Sequence, residues 1–136
     1  MTDFLVDANV ILDVFLDDPV WALWSEAALE QNSRVGTLWI NDVIYAEISI
    51  GFERIEELEN AVARAGFRFM PIPKEALFMA GKAFLRYRKR KGLKQSPLPD
   101  FFIGAQAAVM KIDLITRDVN RYRTYFPTVN VIAPNS

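Results

Sequence analysis

Cysteine and histidine are both absent from the 136 residues. Without cysteine there are no disulfides, no thiolate metal sites and no cysteine nucleophiles. Without histidine the commonest general base and the commonest transition-metal ligand are gone, with every Ser–His or Cys–His arrangement. Acid–base or metal chemistry must therefore rest on carboxylates, lysine or tyrosine. Long apolar runs are missing too: no stretch of about 18 uncharged apolar residues exists, so no membrane span is expected. Asp3, Asp7 and Asp13 fall where the apolar core of a signal peptide would run, and no basic segment precedes them. A cytoplasmic location is expected. There is no Walker loop and no G-x-G-x-x-G, which sets nucleotide-cofactor enzymes last.

What is present fits one globular domain spanning 1–136, with hydrophobic residues at 51% and aromatics at 12%. The net charge of −1 hides a sharp division. Residues 1–60 carry 13 acidic and 2 basic side chains, and residues 61–136 carry 4 acidic and 14 basic ones. Asymmetry of this kind points to a nucleic-acid or protein partner.

Short apolar runs alternate with helical patterns. Strands are expected at 4–6, 35–40, 67–72, 114–116 and 129–132. Helices are expected over 10–16, from Pro19 through Ala28, from Asn41 or Asp42 to about Phe52, and over 53–65, closed by Gly66. Further helices are expected over 74–91, with Leu77, Ala80, Gly81, Phe84 and Leu85 on one face, over 100–111 and over 119–125. Such alternation implies a mainly parallel sheet in a helix–sheet–helix sandwich, an α/β fold with ligands beyond the carboxyl ends of the strands.

Four carboxylates call for explanation. Asp7 and Asp118 follow apolar runs at strand ends, where each would also serve as a helix cap. Asp100 follows a Pro-rich loop and opens a helix, another capping position. Glu47 shares an apolar stripe with Val43 and Ile50, where a carboxylate needs a partner; only Arg34 and Arg54 lie near in sequence. Asp17, Asp18, Asp42 and Asp113 look like turn or cap residues. In a helix–sheet sandwich the first four can converge at one edge, and clustered carboxylates require protons or cations. All-oxygen ligands favour Mg²⁺ or Mn²⁺, ions that activate water in phosphodiester hydrolysis without help from histidine or cysteine.

The sequence resembles the PIN-domain ribonucleases, and within them the VapC-type toxins of bacterial toxin–antitoxin pairs. The likeness is carried by Phe4-Leu-Val-Asp-Ala-Asn9, Tyr45-Ala-Glu-Ile48, Leu98-Pro-Asp-Phe-Phe-Ile-Gly-Ala-Gln-Ala107 and Leu114-Ile-Thr-Arg-Asp118. It implies a PIN-like three-layer sandwich and a metal-dependent endoribonuclease. It also implies that Asp7, Glu47, Asp100 and Asp118 form the acidic set binding Mg²⁺ or Mn²⁺, with Asn9 and Thr116 beside them. A cognate antitoxin is the implied protein partner, and a homodimer is expected. Two other readings are a haloacid-dehalogenase-like phosphatase using Asp7 as nucleophile, in which Asn9 departs from the required Asp-x-Asp, and a non-catalytic binding module.

The densest charge, Arg86-Tyr-Arg-Lys-Arg-Lys-Gly-Leu-Lys94, lies just upstream of Asp100. Arg86, Arg88, Lys89, Arg90, Lys91 and Lys94 are either a solvated helix end or a phosphate track for RNA. Arg117, Arg121 and Arg123 would extend that track, and Tyr87 and Tyr122 would stack on bases or pack in the core. Phe15, Trp21, Trp24 and Trp39 are expected in the core, any exposed share marking a dimer face or a groove for an antitoxin helix.

Overall fold

The structure is a computed structural model that describes residues 2–91 and 98–134, without the side chains of Lys91 and Arg121. Its centre is a sheet of five parallel strands: β1 (Thr2–Val6), β2 (Gly36–Ile40), β3 (Arg68–Phe69), β4 (Asp113–Ile115) and β5 (Val131–Ile132), in the order β3-β2-β1-β4-β5. Among the described residues seven helices flank it: α1 (Ala8–Phe15), α2 (Ala22–Ser33), α3 (Asp42–Ile48), α4 (Ile55–Ala65), α5 (Lys74–Lys91), α6 (Leu98–Met110) and α7 (Asn120–Tyr125). This is the expected α/β sandwich. Among the described residues no helix is long and apolar enough to cross a membrane.

The strand order fixes where a site can form. From β1 the chain builds outward to β2 and β3, then returns to the other side of β1 for β4 and β5. The order reverses between β1 and β4, and a crevice opens at that switch point beyond the strand ends. Leu5, Val6, Leu114 and Ile115 are fully buried there, as a sheet covered on both faces demands. The Asp7 N–H donates to the Ile115 carbonyl at 2.9 Å, so the first residue after β1 is pinned against the end of β4.

Several element expectations are corrected. The third strand is two residues rather than six, because Pro71 and Pro73 have no N–H to continue the ladder. The last strand begins at Val131, not Val129. Pro19 does not open α2: the Asp18 carboxylate accepts from the N–H groups of Val20 (2.8 Å) and Trp21 (2.9 Å), making a turn before Ala22. α3 stops at Ile48 and passes into a tighter turn over Ser49–Gly51, where the Ser49 hydroxyl bonds back to the Ala46 carbonyl at 2.6 Å. Gly66 closes α4 in the left-handed conformation with φ 79°, which glycine adopts without strain.

The largest correction concerns α5. Its bounds are as expected, but its inner face is Ala76, Ala80, Ala83 and Tyr87, all buried, while Leu77, Gly81 and Leu85 face outward. The small alanines let α5 lie close against α6. Of the aromatics expected in the core, Phe15, Trp24 and Trp39 pack against its edge, and its densest aromatic part lies elsewhere. Phe15, Trp21, Trp24 and Trp39 are half-buried, whereas Phe84, Tyr87, Phe101, Tyr125 and Phe126 form an edge-packed cluster joining α5, α6 and the α7 end. In α6, Gly104 accommodates that cluster: a β-carbon there would sit 2.4 Å from the Phe126 ring.

Candidate active site

Each strand flanking the switch point delivers a polar residue into the crevice. Asp7 caps the start of α1 from extended backbone and is only 4% exposed. Thr116 follows β4 and is fully buried; its hydroxyl donates to Asp7 Oδ2 at 2.7 Å. The same hydroxyl oxygen faces the Asp118 N–H at 3.1 Å and the Asn9 amide at 3.4 Å. One donor and two acceptor directions are thus all used, so Thr116 is a fixed strut. Asn9 spans the gap between β1 and β4, since its Oδ1 also accepts from the Arg117 N–H at 3.3 Å.

The helices supply the other carboxylates. Asp100 lies in the first turn of α6 and raises the Asp7 pKa through its charge. Glu47, on the last turn of α3, feels both Asp7 and Asp100. Burial pushes Asp7 up to about 6, opposed by its bond from Thr116 and reinforced by Asp100. Desolvation, then Asp7 and Asp100, pushes Glu47 up to about 7. Glu47 Oε1 is buried and has no hydrogen-bond partner among the described residues. Neither candidate arginine meets it: Arg34 pairs with Glu30 at 3.1 Å and Arg54 with Glu56 at 3.4 Å. Ile50, expected on the same buried stripe, is 76% exposed, and Ile44 and Ile48 are buried in its place. Asp118 is exposed at the rim, beside a groove of about 600 Å³ that Trp21, Asn120 and Arg123 also line.

Two residues of the site escaped sequence reading. Tyr122, expected to stack on bases or to pack, is fully buried, and its hydroxyl donates to Asp7 Oδ2 at 3.0 Å with Asp100 Oδ1 at 3.4 Å. Asp13, one helical turn and a half after Asp7, is buried and receives Arg117 through two bonds of 2.6 and 2.9 Å and the Ser25 hydroxyl at 2.7 Å. Arg117 also covers the Trp21 ring at 5.1 Å, so its guanidinium is engaged within the protein rather than held out for a phosphate. Tyr87 is buried among aromatic rings and presents no stacking face.

Four cations of the basic segment fall among the residues whose side chains are described. Arg86, Arg88, Lys89 and Arg90 are exposed on the last turns of α5, which packs on α6 through Phe84 and Tyr87 against Phe101. Arg88 lies over Phe84 at 6.0 Å and Arg90 over Tyr125 at 5.9 Å. Lys94 lies outside the described residues, as do the side chains of Lys91 and Arg121.

The family model of the PIN domain matches residues 4–127, from β1 to just past α7. The chain belongs to the PIN domain family. Solved structures with this PIN fold include VapBC2 from Rickettsia felis bound to a promoter DNA fragment (TM-score 0.73, 15% identity, 98% of this chain and 100% of that one). A toxin–antitoxin complex from Klebsiella pneumoniae is similar at TM-score 0.66 and 23% identity, covering 96% of this chain and 97% of that one. VapBC-1 from nontypeable Haemophilus influenzae is similar at TM-score 0.70 and 15% identity, covering 97% and 98%. At these identities the likeness establishes the fold. No curated protein sequence matches the chain significantly.

The donor set of this PIN domain admits a hard cation. Among the described residues no three acidic side chains form a ready-made metal cage. Yet Asp7, Glu47 and Asp100 act on one another as like charges, and one oxygen of Glu47 is buried with no donor among the described residues. Like charges that raise one another's pKa are relieved by a proton or a cation. Oxygen donors without nitrogen or sulfur suit Mg²⁺ or Mn²⁺. The residues present therefore fit such an ion.

Proposed function

We propose that this PIN-domain protein is a divalent-metal-dependent endoribonuclease, the toxin of a toxin–antitoxin pair acting in the cytoplasm. The observation that carries the reading is the Tyr122 hydroxyl set between Asp7 and Asp100, with Glu47 feeling the charge of both and burying an oxygen that has no partner among the described residues. Asp7, Glu47, Asp100 and, from the rim, Asp118 would hold Mg²⁺ or Mn²⁺. When bound, such an ion polarises the scissile phosphodiester and lowers the pKa of water. Asn9 and Thr116 hold Asp7 and the start of the Asp118 loop in register. Arg86, Arg88, Lys89 and Arg90 hold the RNA backbone, and Lys91, Lys94 and Arg121, whose side chains lie outside the described residues, are proposed with them on their charge alone.

Asp7 is poorly suited to nucleophilic phosphotransfer: it is buried, and two hydroxyls end on its Oδ2. Its surroundings thus favour the metal-site reading over the phosphatase. The proposed partner is an antitoxin with a basic segment. The acidic first half presents Leu16, Val20, Leu23, Ile50 and Ile55 to solvent, an apolar surface set among carboxylates. A homodimer is proposed through the outer face of α5, where Leu77, Phe78 and Leu85 are exposed.

The test is cleavage of single-stranded RNA by wild type and by Asp7→Asn, with Mn²⁺ and with EDTA. Cleavage is expected only for wild type with Mn²⁺. Cleavage that persists in EDTA, or in the folded variant, would overturn the reading.

A further inference from the structure

Tyr122 is the largest fully buried side chain of the described residues, and a phenylalanine would fill the same volume. Packing therefore accounts for its ring and not for its hydroxyl. Burying a phenol is unfavourable unless the oxygen finds a partner. Three residues on, Tyr125 shows the contrast: its ring packs on Phe101 and Tyr87, and its hydroxyl is buried with no partner among the described residues. The Tyr122 hydroxyl instead ends between two carboxylates, 3.0 Å from Asp7 Oδ2 and 3.4 Å from Asp100 Oδ1.

These two acids come from different parts of the molecule. Asp7 ends β1 and Asp100 opens α6, whereas Tyr122 comes from α7. The phenol has one hydrogen for two acceptors, so it is given to Asp7 at the shorter distance while the oxygen stays beside Asp100. Thr116 donates to the same Oδ2 of Asp7, and Oδ1 carries neither hydroxyl. Two donors on one oxygen fix the rotation of the carboxylate. Donors behind a metal-ligating carboxylate typically govern affinity for the metal by about 10- to 100-fold.

We propose that Tyr122 is a positioning residue for the cation site, its hydroxyl setting the orientation of Asp7 and its approach to Asp100. This rests on the metal-site reading above. The role is distinct from that of Thr116, which reaches Asp7 from β4, because Tyr122 ties the α7 segment to both acids.

The test is Mn²⁺ binding by calorimetry without RNA, on wild type and Tyr122→Phe, with thermal denaturation as the check on folding. The expected result is a folded variant whose Mn²⁺ affinity falls about tenfold or more. Its kcat should recover at saturating Mn²⁺, and its KM for RNA should not change. Equal Mn²⁺ affinity in the folded variant would overturn the positioning role while leaving the metal site intact. Absence of Mn²⁺ binding by wild type would overturn the metal reading and this inference with it. Replacement of Tyr122 by p-aminophenylalanine restores a donor at the same place. It should recover the affinity, and a folded protein that does not would also overturn the role, even if Tyr122→Phe does not fold.

Discussion

Arg117 grips Asp13 across 104 residues of sequence, with Nε 2.6 Å from Oδ2 and Nη2 2.9 Å from Oδ1. The pair ties the loop after β4, which carries Thr116 and Asp118, to the helix that begins beside Asp7. Asp13 is almost fully buried and Arg117 largely so. Removing one partner of such a pair leaves an uncompensated charge, at a cost of about 3 kcal/mol or more. Asp13→Ala and Arg117→Ala should each lower the denaturation midpoint accordingly. The double variant should cost less than the two added together, as a double-mutant cycle by urea denaturation would show. Additive losses would mean that the pair does not couple the two elements.

Asp7 should weaken the fold that holds it. Its pKa rises from 3.8 to about 6 on burial, a shift worth about 3 kcal/mol against the charged form. Because the folded pKa is the higher one, the folded state keeps its proton where the unfolded state has lost it. Stability without divalent ions should therefore fall as pH rises from about 4 to about 6. Glu47 adds to the fall in the same direction. Asp7→Asn should abolish RNA cleavage yet raise the melting temperature at pH 7.5 in EDTA, by several degrees for about 1–3 kcal/mol. A melting temperature below that of wild type would contradict the buried-charge account.

Neutralising Arg88, Lys89 and Arg90 together should weaken binding to single-stranded RNA. With about 0.7 counterions released per phosphate contact, the slope of log K against log salt should flatten by about 2. An unchanged slope would return these exposed cations of α5 to the role of a solvated helix end.

Gly104→Ala should destabilise the α6–α7 contact, since the new carbon would stand 2.4 Å from the Phe126 ring. Overpacking of this kind costs about 1–3 kcal/mol. Adding Phe126→Leu should recover part of the loss, read as the denaturation midpoint of the double variant. No recovery would show that the glycine is needed for another reason.

Much of the fold was legible because its signals are local. Apolar runs ending in Asp7 and Asp118, Gly66 after a charged helix, and the bounds of α5 all follow from residues near one another in the chain. The inner face of α5 was not legible, since Leu77 and Leu85 outweigh Ala76, Ala80 and Ala83 in any reading by hydrophobicity. The neighbour helix α6 decided it, meeting three alanines along α5 and one large ring, Tyr87, which packs on Phe101. Arg117 has the charge of a phosphate contact, and its buried use depends on Asp13 and Trp21, which are distant in sequence.

The amino-acid sequence by itself determined the chemistry open to this protein. With no histidine and no cysteine, acid–base or metal chemistry is left to carboxylates, lysine or tyrosine, and the places of the carboxylates at strand and helix ends follow from local patterning. The tertiary structure decided which of them meet. The reversal of strand order beside β1 sets Asp7 against Thr116, and α7 folds back to place the Tyr122 hydroxyl between Asp7 and Asp100. Those contacts join residues more than 100 positions apart in the case of Asp7, and chain topology and burial, not local propensity, bring them together.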